Sequence, residues 1–345
     1  MKHIVNFSGG RTSAYLASIM IDKVGRDNIE FLFADTGAEH PKTYKFIRNC
    51  NEAFNLNLTC IRCDINQELG KGVTSKVVGI DEIGYDLDVW RPMLAKHGTP
   101  FNPGGGFCTD RLKTRASEHY CNTKYGKGNY WRWLGYRQDE AKRAWGAKLY
   151  PTLTNLGFDS QQAAELMTQC LHADHVEILN NATNATIDMF TNTSSEETQK
   201  LISKVDLLKN KKFRFMFEVT DFEKPDILNW WAQNSFDLEI AEHLGNCVFC
   251  IKKGASKIAL AAMDEPDMAQ DFINLIEEPT VREMGRKTAT EIMYRDYHSL
   301  RSIIESHAGF SREEIEATIR GMKREETGSC SESCEAFNDL LNFDD

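Results

Sequence analysis

An α/β fold on a parallel, doubly wound sheet, with a helical region behind it, is what this sequence predicts. Three observations lead there. Apolar runs at 2–7, 29–34, 57–62 and 130–136 read as buried strands. Stretches of helical length and periodicity separate the first three. Such alternation requires crossover connections and therefore parallel pairing. The first two runs end in short polar, glycine-bearing turns, and open α/β sheets bind ligands beyond the carboxyl ends of their strands.

The first strand, 2–7, runs into Ser8-Gly9-Gly10-Arg11-Thr12-Ser13 and then a helix over 12–24. Two glycines let the backbone turn its N–H groups into one concavity. The helix brings its positive end to the same place, and Ser8, Thr12 and Ser13 add hydroxyls. No Gly-Lys-Ser/Thr follows, so the loop is not of the Walker type. By itself the segment is either a phosphate cradle or a ligand-free strand–turn–helix.

The second strand, 29–34, ends in Asp35-Thr36-Gly37. Asp35 there suits a nucleotide sugar or a metal ion. A helix over 41–54 and a strand over 57–62 follow. Residues 64–106 read as irregular and glycine-rich, ending in Asn102-Pro103-Gly104-Gly105-Gly106; a loop of that length is usually a lid or insertion. Residues 108–121 read as helix and 130–136 as strand. Arg137, directly after that strand, presents a guanidinium suited to bidentate grip on phosphate or sulfate. Its alternative is a surface ion pair with Asp139 or Glu140. Lys113 offers a point charge for the same anion. Glu140 is read as orienting Arg137 or coordinating Mg²⁺.

These segments resemble, in order, the motifs of the phosphoadenosine phosphosulfate (PAPS) reductase family within the adenine nucleotide α-hydrolase, or PP-loop, superfamily. Ser8 to Ser13 is similar to the pyrophosphate loop. Asp35-Thr36-Gly37-Ala38-Glu39-His40-Pro41-Lys42-Thr43 is similar to the family's Asp-Thr-Gly…Pro-x-Thr element. Gly135-Tyr136-Arg137-Gln138-Asp139-Glu140 is similar to its Gly-x-Arg-x-x-Glu element, and Phe107-Cys108-Thr109-Asp110-Arg111-Leu112-Lys113 to the Cys-Cys-x-x-x-Lys segment of iron–sulfur members. The resemblance spans roughly residues 1–145, with an echo to about 255. It implies ATP or a related adenine nucleotide held by Ser8–Ser13 and Asp35–Gly37. The divergent form fits a phage-like member.

Ten cysteines occur. The N-terminus reads as a strand rather than an export signal, so a cytoplasmic, reducing setting and free thiols are expected. Cys50, Cys60, Cys121 and Cys170 lie in strand-like or apolar-periodic contexts and read as core. Gly245-Asn246-Cys247-Val248-Phe249-Cys250 is a Cys-x-x-Cys turn suited to one metal or cluster. With Cys108, placed by the resemblance at a cluster-ligand position, it supplies three thiolates for a [4Fe–4S] cluster. Position 107 is Phe where those reductases have a second cysteine, so the fourth ligand comes from elsewhere, with Cys330 and Cys334 the candidates, or one iron stays open. Zinc is the competing metal, and a site without metal, the Cys-x-x-Cys turn being a redox pair or structural, is the third reading. Cys170-Leu171-His172-Ala173-Asp174-His175 reads as ordinary helix surface.

Residues 159–206 read as a polar helical insertion broken at 180–195. Phe213–Val219 reads as strand, Pro225–Trp231 as helix, and 254–325 as amphipathic helix. The division expected is 1–255, a nucleotide-binding domain with its insertion at about 155–206, and 256–345, a helical region with a cysteine-bearing tail.

Composition of 41% hydrophobic and 27% charged residues is that of a folded globular protein. No run approaches the roughly 20 apolar residues of a membrane span. The net charge of −10 argues against broad, sequence-independent nucleic-acid binding. The basic clusters at 209–214 and 111–115 read as solvated faces.

Two chemistries suit the pocket: ATP-dependent adenylation followed by thiolation, and reduction of a sulfonucleotide by a cysteine thiolate. The reductases' C-terminal Glu-Cys-Gly-Ile/Leu-His segment is missing from this sequence, with Cys334 the stand-in, and that favours sulfur transfer. A non-catalytic nucleotide-binding role is the third reading. Implied partners are a sulfur or electron donor protein, a nucleic-acid or small-molecule sulfur acceptor, and a second copy of the chain.

Overall fold

The computed structural model describes residues 1–68, 70–100, 107–184, 195–283 and 291–321. Among the described residues six strands form one sheet in the order β4–β3–β2–β1–β5–β6. They are β1 (Lys2–Asn6), β2 (Ile29–Ala34), β3 (Thr59–Ile65), β4 (Val73–Val78), β5 (Tyr130–Leu134) and β6 (Phe213–Phe215). All neighbours are parallel except β3 and β4, which pair antiparallel. The parallel, doubly wound α/β architecture is thus present, with one antiparallel edge.

Every residue of β2 is buried, the signature of a strand covered on both faces. Side chains along β1 alternate accordingly. Val5 joins a core with α1 (Arg11–Val24), α2 (Pro41–Ala53) and α10 (Lys224–Ala232) through Leu16, Met20, Phe46, Ile47 and Trp231. Ile4 joins the opposite core with α3 (Trp90–His97), α4 (Arg115–Tyr125) and α5 (Ala141–Trp145). That second core continues through α6 (Tyr150–Asn155), α7 (Ser160–His172), α8 (His175–Asn184) and α9 (Ser195–Asn210) by way of Leu153, Met167, Leu179 and Val205.

The stretch 64–106 is more regular than its glycines suggest. β3 runs on to Ile65, and β4 and α3 follow. β4 is an edge strand of alternating exposure paired against β3, while Trp90, Met93 and Leu94 bury one face of α3. The glycine-rich end at 102–106 lies outside the described residues. The expected strand at 213–219 is cut short after Phe215 by a 3₁₀ turn, where Glu218 accepts the Phe215 N–H at 2.6 Å.

The expected helix over 254–325 is broken into α11 (Ala255–Asp264), α12 (Pro266–Ile276), α13 (Leu300–His307) and α14 (Arg312–Gly321). Pro266 starts a new first turn, where its missing N–H costs nothing, and the Ser299 side chain caps α13. Phe272 of α12 packs edge-on to Trp90 at 5.3 Å and against Phe249 at 5.9 Å. Those contacts bring the helical region to the Cys-x-x-Cys turn. Among the described residues no helix is long and apolar enough to cross a membrane.

Candidate functional site

The turn between β1 and α1 is closed by its own side chains. The Ser13 hydroxyl accepts the Ser8 N–H at 3.0 Å, lies 2.9 Å from the Ser8 hydroxyl, and donates to the Gly10 carbonyl at 3.0 Å. Gly9 has φ +79°, where an added Cβ would sit 3.0 Å from both Thr43 and Ile47. Gly10 is extended at φ −96° and caps α1 without a side-chain hydrogen bond. The first-turn N–H groups of α1 therefore carry no side-chain cap, as an anion site requires. Only one of the two glycines has a conformation that demands glycine.

Ser8, Gly9, Gly10 and Arg11 line a cavity of about 150 Å³. Thr43 of α2, Lys224 and Leu228 of α10, and a segment running from Leu238 to Asn246 complete it. Arg11 is gripped there by Asp237, through Nε at 2.7 Å and Nη2 at 2.9 Å. Thr12 and Ser13 are fully buried and serve the architecture of the loop; neither lines the cavity.

Arg137 is also buried. Its Nε donates to Asp139 at 2.8 Å, its Nη1 donates to the Thr12 hydroxyl at 3.1 Å, and Glu140 lies 3.5 Å away. Both expected carboxylate partners are engaged, away from the surface, and the guanidinium supports α1 from behind the loop. Glu140 also accepts from Arg143 at 3.0 Å.

The end of β2 leads elsewhere. Asp35 is fully buried, and its oxygens accept the Gly37 N–H, the Tyr44 hydroxyl and Arg62 Nε at 2.9, 2.9 and 2.7 Å. Burial pushes its carboxyl above the ordinary range and the charge of Glu39 adds to this, with the Gly37 N–H and Arg62 opposing. Gly37 has φ +68°, and a Cβ there would meet Asp86 at 2.6 Å. Both carboxylates pair with guanidinium groups here, Asp35 with Arg62 and Glu140 with Arg143 and Arg137.

Beside Asp35 lies a second, small cavity of about 20 Å³. Thr36, Trp90, Lys113, Cys108, Cys247 and Cys250 contribute to its wall. Tyr294 is buried nearby, its hydroxyl donating to the Phe249 carbonyl at 2.8 Å. Lys113 belongs to this cavity, not to the loop. Its ammonium donates to Glu39 at 3.0 Å, and both groups are buried.

Glu39 also accepts from Thr36 at 2.8 Å, Tyr44 at 3.2 Å and the Cys247 thiol at 3.8 Å. Burial opposes its ionisation, but the Lys113 charge and the hydrogen bonds outweigh burial and hold the carboxyl below its usual range. Glu39 and Cys247 form an isolated antiparallel bridge, and the Val248 N–H donates to the Ala38 carbonyl at 3.0 Å. The Asp-Thr-Gly turn and the Cys-x-x-Cys turn are thus one joined structure.

Three thiols on one largely apolar wall fit an iron–sulfur cluster in donor type. Among the described residues, no three His, Cys, Asp or Glu side chains gather as ligands of a metal ion. Cys330 and Cys334 lie outside the described residues.

The remaining thiols have core positions. Cys50, Cys60, Cys121 and Cys170 are buried, and burial pushes Cys60, Cys121 and Cys170 up to about 12. His172 pairs with Glu218 at 2.9 Å, and Asp174 accepts the Val176 N–H at 3.0 Å, as ordinary helix-surface groups do.

Sequence reasoning assigned no role to Glu39 or Asp237. Glu39 stood inside a quoted motif, as a lone carboxylate before the Pro41 helix start. Asp237 sits in an aperiodic stretch that gave no signal.

Residues 2–76 match the model of the phosphoadenosine phosphosulfate reductase domain. An uncharacterized nin region protein, ORF290, of Escherichia phage lambda is 37% identical over 350 aligned positions, covering all of this chain and 98% of the relative. No solved structure matches the chain. A matching domain over β1 to β4, a relative similar from end to end, and a loop-and-sheet arrangement of the PP-loop kind agree: the chain belongs to the PAPS reductase family of the PP-loop superfamily.

Proposed function

We propose that this protein is an ATP-dependent sulfur-transfer enzyme that works by adenylation and then thiolation. One observation carries the reading. A single stretch, residues 242–251, contributes to the walls of both the phosphate-loop cavity and the three-thiol cavity. A nucleotide in the first is therefore next to sulfur chemistry in the second.

The turn at Gly9, the uncapped first turn of α1 and Arg11 hold the phosphates as developing charge is stabilised. AMP passes to a substrate oxygen as pyrophosphate leaves; sulfur then displaces AMP. Lys113, fixed by Glu39, places a positive charge on the thiol cavity wall, where it steadies anionic sulfur. Cys108, Cys247 and Cys250 would hold a [4Fe–4S] cluster, with Cys330 as fourth ligand, and such a cluster supplies a site for the sulfur to be transferred. Cys334 is the candidate carrier of sulfur from a donor protein. Zinc is the alternative metal. The acceptor is a nucleic acid or small molecule, and the setting is the reducing cytoplasm.

The test is product analysis on anaerobically purified protein, with ATP and a sulfide source in one arm and adenosine or phosphoadenosine phosphosulfate and a thiol reductant in the other. The expected products are AMP and pyrophosphate from ATP, in amounts set by the acceptor, and no sulfite. Sulfite release would establish the reductase reading instead. Absence of any nucleotide binding would overturn both.

A further inference from the structure

We propose that Asp237 is the positioning residue of the phosphate loop, acting through Arg11. The inference rests on the nucleotide reading above and adds a residue to it. Of the five guanidinium donors, Asp237 takes one on Nε and one on Nη2, at 2.7 and 2.9 Å. The Leu238 carbonyl accepts from Nη2 at 2.5 Å. Among the described residues Nη1 has no partner, while Arg11 lines the loop cavity. The carboxylate thus holds the side edge of the fork and leaves two donors for an anion.

The same segment grips the loop at a second point. The Trp231 indole donates to the Arg11 carbonyl at 3.0 Å, and Leu238 and Ile240 form part of the cavity wall. An arginine on a turn has many rotamers to lose when it binds phosphate. A bidentate carboxylate removes that freedom beforehand, which raises affinity by preorganisation. The pair is partly exposed, at 23% and 37%, so it adds little to stability and its effect belongs to binding.

A double-mutant cycle on the full chain tests this, with ATP dissociation constants for the parent, Asp237→Asn, Arg11→Met and the double variant. Asp237→Asn is expected to weaken ATP about tenfold, or about 1.4 kcal/mol. In the Arg11→Met background it is expected to have no further effect, and thermal melting should not move. Asp237→Glu, which keeps the charge, should recover part of the loss. Unchanged or tighter binding in Asp237→Asn overturns the proposal, since the carboxylate would then be idle or a competitor of phosphate. Equal weakening with and without Arg11 also overturns it, as does a fall in melting temperature that accounts for the loss. If the parent itself binds no ATP, the nucleotide reading fails, and this inference with it.

Discussion

The two cavities meet along residues 242–251 but are built on opposite principles. The phosphate-loop cavity has the Ser8–Gly10 backbone turn on one wall, and its charge pairs, Arg11 with Asp237 and Lys224 with Glu242, are partly exposed. The thiol cavity is shaped by side chains, and its charge pair, Glu39 with Lys113, is buried at 0% and 6%. Deleting one partner of a partly exposed pair releases a charge to water; deleting one partner of a buried pair strands it. Removing a charge at the first site should therefore appear as lost affinity, and removing one at the second as lost stability.

The largest effect is expected at Glu39. Glu39→Ala leaves the Lys113 ammonium buried without its carboxylate, and unfolding in urea should show a loss of about 3–5 kcal/mol. A loss below about 1 kcal/mol would mean that water reaches the site and that the contrast is false. Next is Gly9→Val. A β-branched residue at φ +79° with its Cβ against Thr43 and Ile47 should cost about 1–3 kcal/mol of stability and abolish ATP binding. Gly10→Ala, at an extended position, should change stability by less than about 1 kcal/mol. Equal destabilisation at the two glycines would refute the assigned loop geometry.

The smallest effect is acid sensitivity outside the two charge pairs. Burial lowers the pKa of His3, His97 and His243 from the ordinary 6.5. The folded state then binds fewer protons than the unfolded state, so this contribution is complete above about pH 6.5 and is lost as pH falls below it. The urea midpoint should be lower at pH 5.5 than at 7.5. An unchanged or higher midpoint would show that these rings are solvated in the fold.

The same contrast explains what the sequence revealed. The strand, the Ser8–Ser13 turn and α1 are contiguous, so periodicity and glycine placement expose them directly. β4 was hidden because an edge strand with alternating exposure at Thr74 and Lys76 lacks the apolar run of β2. Arg137 was found, but its buried partnership with Thr12 was not, since the two lie 125 residues apart. The Arg11–Asp237 contact spans 226 residues and Lys113–Glu39 spans 74. Neither leaves a local mark, because pairing at such distances is decided by how the sheet brings its strand ends together. The cysteines were legible as types and as one Cys-x-x-Cys turn, whereas their shared wall with Thr36 and Lys113 is a property of tertiary structure.

The most direct measurement is calorimetric titration of ATP into the anaerobically purified full chain, alongside the Gly9→Val protein. The account predicts saturable binding of one ATP per chain by the parent and none by the variant, with the variant's fold verified by circular dichroism. No binding by the parent, or equal binding by both, would contradict a nucleotide site built on this loop.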